Sequence, residues 1–258
     1  MRAYEWLAVA YFVGLAGAAL SRRVAWRRRL AVAAGALAAA VLVAGVAWSR
    51  HELLRAWLPN LALVGGYWLP ALLTDRIRGT TPFESWLAAS DARLRPRLPA
   101  IPTPLGHLVE VAYLFCYPLV PAAFAVVWTL GTAGDVTRFW MAVLAAGYAC
   151  YVSLPWLPSR PPRLAGAPAP MPPPIAALNV LVLGRVSHQL NTFPSGHVAV
   201  ACAAAAMVAP VSALAGTLIA VVAAAIAVGA AAGRYHYIVD VLLGVLVGAA
   251  AIGAALLI

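Results

Sequence analysis

Two short stretches carry reactive side chains in an otherwise apolar chain: "TFPSGH", residues 192–197, and "GRYHYIVD", residues 233–240. In the second, His236 and Asp240 stand four residues apart, on one helix face, close enough for the carboxylate to hold one imidazole nitrogen and fix the tautomer. The other nitrogen is then free to act as nucleophile or base. An aspartate inside so apolar a run is costly and usually functional. In the first stretch, Ser195, Gly196 and His197 stand where an irregular segment turns into an apolar helix. A helix start presents unpaired N–H groups and about half a positive charge to an anion, and glycine permits close backbone approach. Taken alone, "PSGH" reads equally well as a plain helix start with an interfacial histidine.

The elements that must position these groups are helices. His197 and His236 are 39 residues apart, about 58 Å of helix, or roughly two crossings of a 30 Å hydrocarbon core. One helix leaves and one returns, so both histidines reach the same membrane face. The segment before "NTFPSGH" shares that face and holds "SRPPR", with Arg160 and Arg163. Two arginines, two histidines, an aspartate and a helix N-terminus therefore converge. That set suits a phosphate: guanidiniums clamp its oxygens, one histidine attacks phosphorus and the other protonates the leaving oxygen.

Composition sets the environment. Hydrophobic residues make up 64% and charged residues 10%, with mean hydropathy +0.89, which places the chain in a bilayer and excludes a soluble globular domain. Apolar runs near 3–20, 30–48, 53–74, 105–130, 137–157, 197–210, 212–232 and 237–258 predict an all-α polytopic bundle of about eight transmembrane helices. The first run ends in Ser21-Arg22-Arg23 and not at a small-residue cleavage site, so it reads as a span. Residues 1–52 are expected to form an N-terminal transmembrane hairpin and 53–258 the core. Phe83, Trp86, Leu87 and Leu94 recur at helical spacing and predict an amphipathic helix in the interface. The run "PSRPPRLAGAPAPMPPP" excludes regular helix.

The 18 basic residues are all arginine, and the net charge is +10. They cluster between apolar runs, so membrane orientation and anionic lipid headgroups explain them, and no nucleic acid is expected. Arg22, Arg23, Arg27, Arg28, Arg29, Arg76, Arg78, Arg93, Arg95, Arg97, Arg160, Arg163, Arg185 and Arg234 fall on the histidine face; Arg2, Arg50, Arg55 and Arg138 fall on the other. The bias predicts an integral inner-membrane protein with its site on the cytoplasmic face. The three cysteines, Cys116, Cys150 and Cys202, all lie in apolar stretches and read as small core residues.

"PSGH" followed two helices later by "HYIVD" resembles the type 2 phosphatidic acid phosphatase superfamily, whose membrane members share a six-helix core and the signature KxxxxxxRP, PSGH and SRxxxxxHxxxD. The resemblance covers residues 53–258, leaving two N-terminal helices outside the core. It implies that His236 is a nucleophile forming a phosphohistidine, that Asp240 orients it and that His197 is the general acid. It implies that Ser195, Gly196 and Arg160 bind phosphate, with no cofactor and no metal. Two positions depart from the pattern: Ser153 stands where the family has Lys, and Ala230 where it has Arg. Arg163 and Arg234 are the candidate replacements. The "HYxxDV" form is also similar to the branch of inositol phosphorylceramide and sphingomyelin synthases. The expected substrate is thus a phosphorylated membrane lipid, hydrolysed as a phosphomonoester or pyrophosphate, or donating a headgroup such as phosphoinositol to a lipid alcohol. No protein partner is evident.

Other polar residues allow structural readings. His107 and Glu110 share a helix face and suit either a headgroup clamp or a pair that seats the helix; His188 stands close to the second motif. A transporter would scatter such groups near mid-bilayer, whereas these gather at one interface. A binding or scaffold protein would not need both histidines and Asp240 together.

Overall fold

The computed structural model describes residues 1–49, 51–75, 77, 79–97, 102–166 and 175–258. Arg50, Arg76 and Arg78, and the proline-rich residues 167–174, lie outside them. The described chain is all-helical: α1 (Ala3–Ser21), α2 (Trp26–Trp48), α3 (Glu52–Ala71), α4 (Pro82–Leu94), α5 (Thr103–Leu114), α6 (Leu119–Leu130), α7 (Ala133–Tyr151), α8 (Ile175–Val186), α9 (Gly196–Val208), α10 (Ala213–Ala232) and α11 (Ile238–Leu256), with α4 on the predicted amphipathic segment, α8 outside the eight predicted runs and the others on them. Among the described residues, extended pairing is limited to one isolated bridge between Ser159 and Asn191.

Helices α1, α2, α10 and α11 are each long and apolar enough to cross a membrane. The run predicted as one span over 105–130 is instead broken, with α5 and α6 bent by 67° about residues 115–118. The cause is Pro118, which lacks an N–H to continue the helical ladder and disfavours helical geometry at Tyr117. Taken as one bent crossing, the pair is a fifth. The other three predicted spans, α3, α7 and the 13-residue α9, are helical but do not reach the same length and apolarity. α7 and α9 instead lie inside the bundle: α9 is flanked by α6, α7, α10 and α11, and α7 by α1, α3, α9 and α11.

Small residues make that centre possible. A Cβ on Gly244 of α11 would stand 2.7 Å from the Ser195 carbonyl oxygen, a backbone atom that cannot move aside, so only glycine lets α11 lie against the start of α9. The N-terminal hairpin is fastened to the rest by aromatic and ionic contacts. Tyr11 stacks on Tyr148 at 3.9 Å, and buried Glu5 accepts from Arg55 at 2.9 and 3.1 Å. Arg2 pairs with Glu52 at the same end of the bundle.

The opposite end is built around α4. Thr81 and Glu84 form a reciprocal capping box, with Pro82 in the first turn, where its missing N–H costs nothing. The helix exists where the apolar spacing predicts it, but its buried face is Glu84, Leu87 and Asp91, and Trp86 is half exposed. Both carboxylates point inward because the loops they hold supply the compensating donors.

Candidate active site

His197 is the second residue of α9, and His236 sits in the turn between α10 and α11. Their rings meet, with His197 Nδ1 3.5 Å from His236 Nε2. On the far side of the His236 ring, Nδ1 is 3.5 Å from Asp240 Oδ2. That distance is beyond an ordinary hydrogen bond, so the carboxylate stands behind the ring without a close bond to it. Asp240 is itself fixed: Oδ2 accepts from the Tyr237 N–H at 3.2 Å, and its backbone carbonyl accepts from the Ser195 N–H at 3.0 Å. The two motifs are thus joined by a main-chain bond as well as by their side chains.

The turn before His236 has a specific local cause. Arg234 adopts a left-handed conformation, φ +56°, just after the end of α10. Tyr235 N–H then donates to the Ala230 carbonyl at 3.0 Å and Arg234 N–H to the Ala231 carbonyl at 3.4 Å, the double closure of a Schellman motif. Such a position normally belongs to glycine, which here stands one residue earlier. Gly233 is required there because a Cβ would meet the Tyr235 ring at 2.3 Å and Glu110 Oε1 at 2.6 Å. Ala230 is fully buried, and its carbonyl also accepts from the His236 N–H at 2.9 Å.

A polar cleft of about 410 Å³ is lined by both histidines together with Arg163, Tyr235, Thr192, Asn191, Gln189 and Tyr67. Arg163 is the arginine that the fold brings to the histidines. Its guanidinium lies 4.0 Å from the centre of the Tyr235 ring, and the Tyr235 hydroxyl donates to Glu110 Oε2 at 2.5 Å. Asn179 of α8 donates to the same oxygen at 2.6 Å. Glu110 is buried, and its partners are Tyr235 and Asn179; it makes no pair with His107.

Of the other expected phosphate ligands, Arg160 and Arg234 are turned to other partners, while Ser195 and Gly196 stand next to His197. Arg160 turns toward α4: its backbone N–H reaches Glu84 Oε1 at 2.8 Å, Nε the same oxygen at 3.0 Å, and a terminal nitrogen Glu84 Oε2 at 3.0 Å. Burial would raise the Glu84 carboxyl, but the bonds from Arg160 and Thr81 outweigh it and hold the group below the usual range. Arg234 lines a separate surface cleft with Arg95, Asp91 and Tyr237. The Ser195 N–H is bonded to Asp240, and the Gly196 N–H donates to Thr192 Oγ1 at 2.9 Å, so two of the three expected helix-start donors are already engaged. Ser195 Oγ is buried without a partner.

Several residues that organise the site carry no motif signal. Asp91 accepts from the Ile238 N–H at 3.0 Å, capping the start of α11, while Arg95 neutralises it at 2.8 Å. Ser153, at the departure from the lysine pattern, accepts from the Phe193 N–H at 3.2 Å and so anchors the loop before "PSGH". His188 stacks on Tyr67 at 4.1 Å, and its Nδ1 accepts from the Leu190 N–H, which assigns the proton of the neutral ring to Nε2. Burial, and then the nearby His197, push His188 down to about 4; burial, and then Arg163, push His236 down to about 3. Among the described residues, no three His, Cys, Asp or Glu side chains come together as a metal-ligand set.

A bundle of long apolar helices with two histidines, a buried aspartate and a guanidinium at one end fits an integral membrane protein. The sequence model of the PAP2 superfamily matches residues 86–254, and the chain belongs to that superfamily. Membership makes it, in general terms, a phosphatase-type enzyme acting on a phosphorylated substrate. No curated protein and no solved structure matches the chain.

Proposed function

We propose that the protein is a membrane lipid phosphatase that cleaves a phosphomonoester or pyrophosphate lipid through a phosphohistidine on His236, without a metal. The observation that carries the proposal is the line Asp240, His236, His197, with Arg163 in the same cleft. His236 is kept neutral by burial, as a nucleophile must be. Its Nε2 attacks phosphorus, the P–O bond to the lipid breaks, and His197 delivers a proton to the departing oxygen. Asp240 stabilises the charge that develops on the His236 ring, and Arg163 the charge on the phosphoryl oxygens. His197 then takes a proton from water, water displaces His236 from phosphorus, and phosphate leaves with the nucleophile restored.

The geometry adds one step. A reacting phosphorus stands about 3–3.5 Å from its nucleophile before attack. The 3.5 Å between the two imidazoles leaves no room for it, so the rings part as substrate binds. Tyr67, Tyr113 and Tyr117 surround His197 at ring distances of 6.2, 5.9 and 5.9 Å and define the space into which it turns.

A second reading is transfer of the phosphorylated headgroup to a lipid alcohol. It is favoured by the hydrogen-bonding side chains of Ser187, Gln189 and Asn191 in the cleft, which suit a hydroxylic acceptor. Purified protein incubated with lipid phosphates, with and without candidate alcohols, separates the two by free phosphate against new phospholipid. A His236→Ala variant that keeps turnover of either kind ends both readings.

We further propose that the site faces the cytoplasm, with anionic headgroups held by its arginines. Among the described residues, the histidine end carries Arg28 paired with Asp75 and Arg22 over Trp156, beside the α4 cluster. A reporter enzyme fused after Ile258 is then expected on the outer side; reporter activity in the cytoplasm reverses the orientation.

A further inference from the structure

The cleft that Arg234 lines has a volume of about 730 Å³ and is walled by Asp91 and Arg95 of α4, by Pro162 and by Tyr237. It shares no residue with the histidine cleft, although the same two segments of chain wall both: Arg163 and His236 face one, Pro162 and Arg234 the other. Two guanidiniums and one carboxylate stand in it, and the carboxylate is fully engaged. Asp91 Oδ2 accepts from Arg95 at 2.9 and 2.8 Å, and Oδ1 accepts from the Ile238 N–H at 3.0 Å. Arg95 is held further by the Ala231 carbonyl, which accepts from its two terminal nitrogens at 3.4 and 3.3 Å. Arg234 finds no carboxylate among the described residues, and its Nε is buried without an acceptor. Burial, and then the nearby Arg95, push its guanidinium below the usual value. Its backbone is strained as well, at φ +56°, a conformation that glycine adopts without cost. Strain of this kind persists where a residue has a use, and the use of this arginine lies neither at the histidines nor in an internal pair.

We infer that Arg234, with Arg95 beside it, binds a second phosphate-type oxyanion, distinct from the one that reacts at the histidines. An oxyanion between the two guanidiniums supplies the negative charge that Arg234 lacks and cancels the repulsion between them, through charge-assisted hydrogen bonds. The phosphodiester of a membrane lipid and free phosphate offer the same oxygens. The level of the cleft puts the lipid first: Arg234 stands just after α10 and Tyr237 just before α11, both helices long and apolar enough to cross a membrane, so the cleft lies where headgroups lie. The Arg234 carbonyl accepts from the Arg163 N–H at 3.3 Å, so an anion held here steadies from outside the turn that carries His236. The inference rests on the reading that arginines at this end hold anionic headgroups, and it deepens that reading by giving one headgroup a place; it does not depend on the reaction.

The test compares the full chain, its Arg163→Ala variant, in which the histidine cleft has lost its guanidinium, and Arg163→Ala with Arg234→Gly or Arg234→Gln added, all in neutral detergent. Native mass spectrometry measures bound phosphatidylglycerol against phosphatidylcholine, and a parallel titration follows melting temperature with inorganic phosphate. The full chain and Arg163→Ala should hold phosphatidylglycerol about tenfold more tightly than phosphatidylcholine, and either change at Arg234 should remove that preference. Arg234→Gly relaxes the left-handed turn while Arg234→Gln keeps its bulk, so a loss common to both comes from the guanidinium and not from the fold. If the lipids are bound alike, but phosphate raises the melting temperature of Arg163→Ala and of neither Arg234 variant, the site stands with the free anion as its occupant. Phosphatidylglycerol preferred equally after either change at Arg234 leaves headgroups on other arginines and overturns this site. Indifference of Arg163→Ala to both anions overturns it too.

Discussion

The hydroxyl of Tyr235 donates to buried Glu110, and the ring of the same tyrosine carries the Arg163 guanidinium on its face. A carboxylate from α5 thereby sets the place of the arginine beside the two histidines, although it touches neither. Glu110→Gln keeps the shape but weakens the acceptor. The variant is expected to raise KM for a lipid phosphate about tenfold, with a smaller change in kcat, because a displaced guanidinium weakens phosphate binding. Steady-state kinetics on the purified variant checks this; equal losses in kcat and KM terms would assign Glu110 a broader role.

Arg160 and Glu84 make the opposite case, a guanidinium spent on structure. Arg160→Ala leaves a fully buried carboxylate without its partner, which typically costs about 3 kcal/mol. The expected result is a clear fall in melting temperature, much of it recovered in the double variant Glu84→Gln, Arg160→Gln. Arg163→Ala should do the reverse, lowering kcat/KM by about a hundredfold with little thermal change. Thermal scans and kinetics on the same preparations distinguish the two arginines.

Acid should destabilise the protein through its buried imidazoles. His188 and His236 titrate near 6.5 when unfolded but are pushed down to about 4 and about 3 in the fold. The unfolded chain therefore binds more protons over that interval, and stability present at neutral pH is lost as pH falls from about 6.5 toward 4. Replacing His188 by Gln should flatten the decline of melting temperature with acid. A slope unchanged in His188→Gln would mean that other groups govern it.

Arg234 supplies a test of backbone against side chain. Its left-handed φ costs an arginine about 1 kcal/mol that glycine does not incur. Arg234→Gly is expected to keep or slightly raise the melting temperature and to leave kcat/KM within about threefold, since the side chain faces a different cleft from the histidines. A large kinetic loss at full stability would bring Arg234 into the phosphate site.

Much of this was legible from residue types alone. The place of Asp240 behind the His236 ring needed only a four-residue spacing, though not the 3.5 Å that separates them, and the meeting of His197 with His236 only the length of two helices. The bend at Pro118 was not, because the apolar run over 105–130 continues through it unchanged. The inward carboxylates of α4 were hidden for a related reason: Glu84 and Asp91 look like the solvent side of an amphipathic helix until Arg160, 76 residues later, and the Ile238 N–H are brought to them. Which of Arg160 and Arg163 turns to the histidines depends on that same distant carboxylate, and no local pattern encodes it.

The contact between His197 and His236 bears on how tightly any phosphate will hold. At rest the facing nitrogens of the two rings stand 3.5 Å apart, too close for a phosphorus to lie between them, so the resting arrangement itself opposes binding. An incoming phosphate must separate the pair before it can bind, and its measured affinity is the intrinsic one reduced by that work. Removing one ring should therefore let an unreactive phosphate analogue bind more tightly even as turnover disappears.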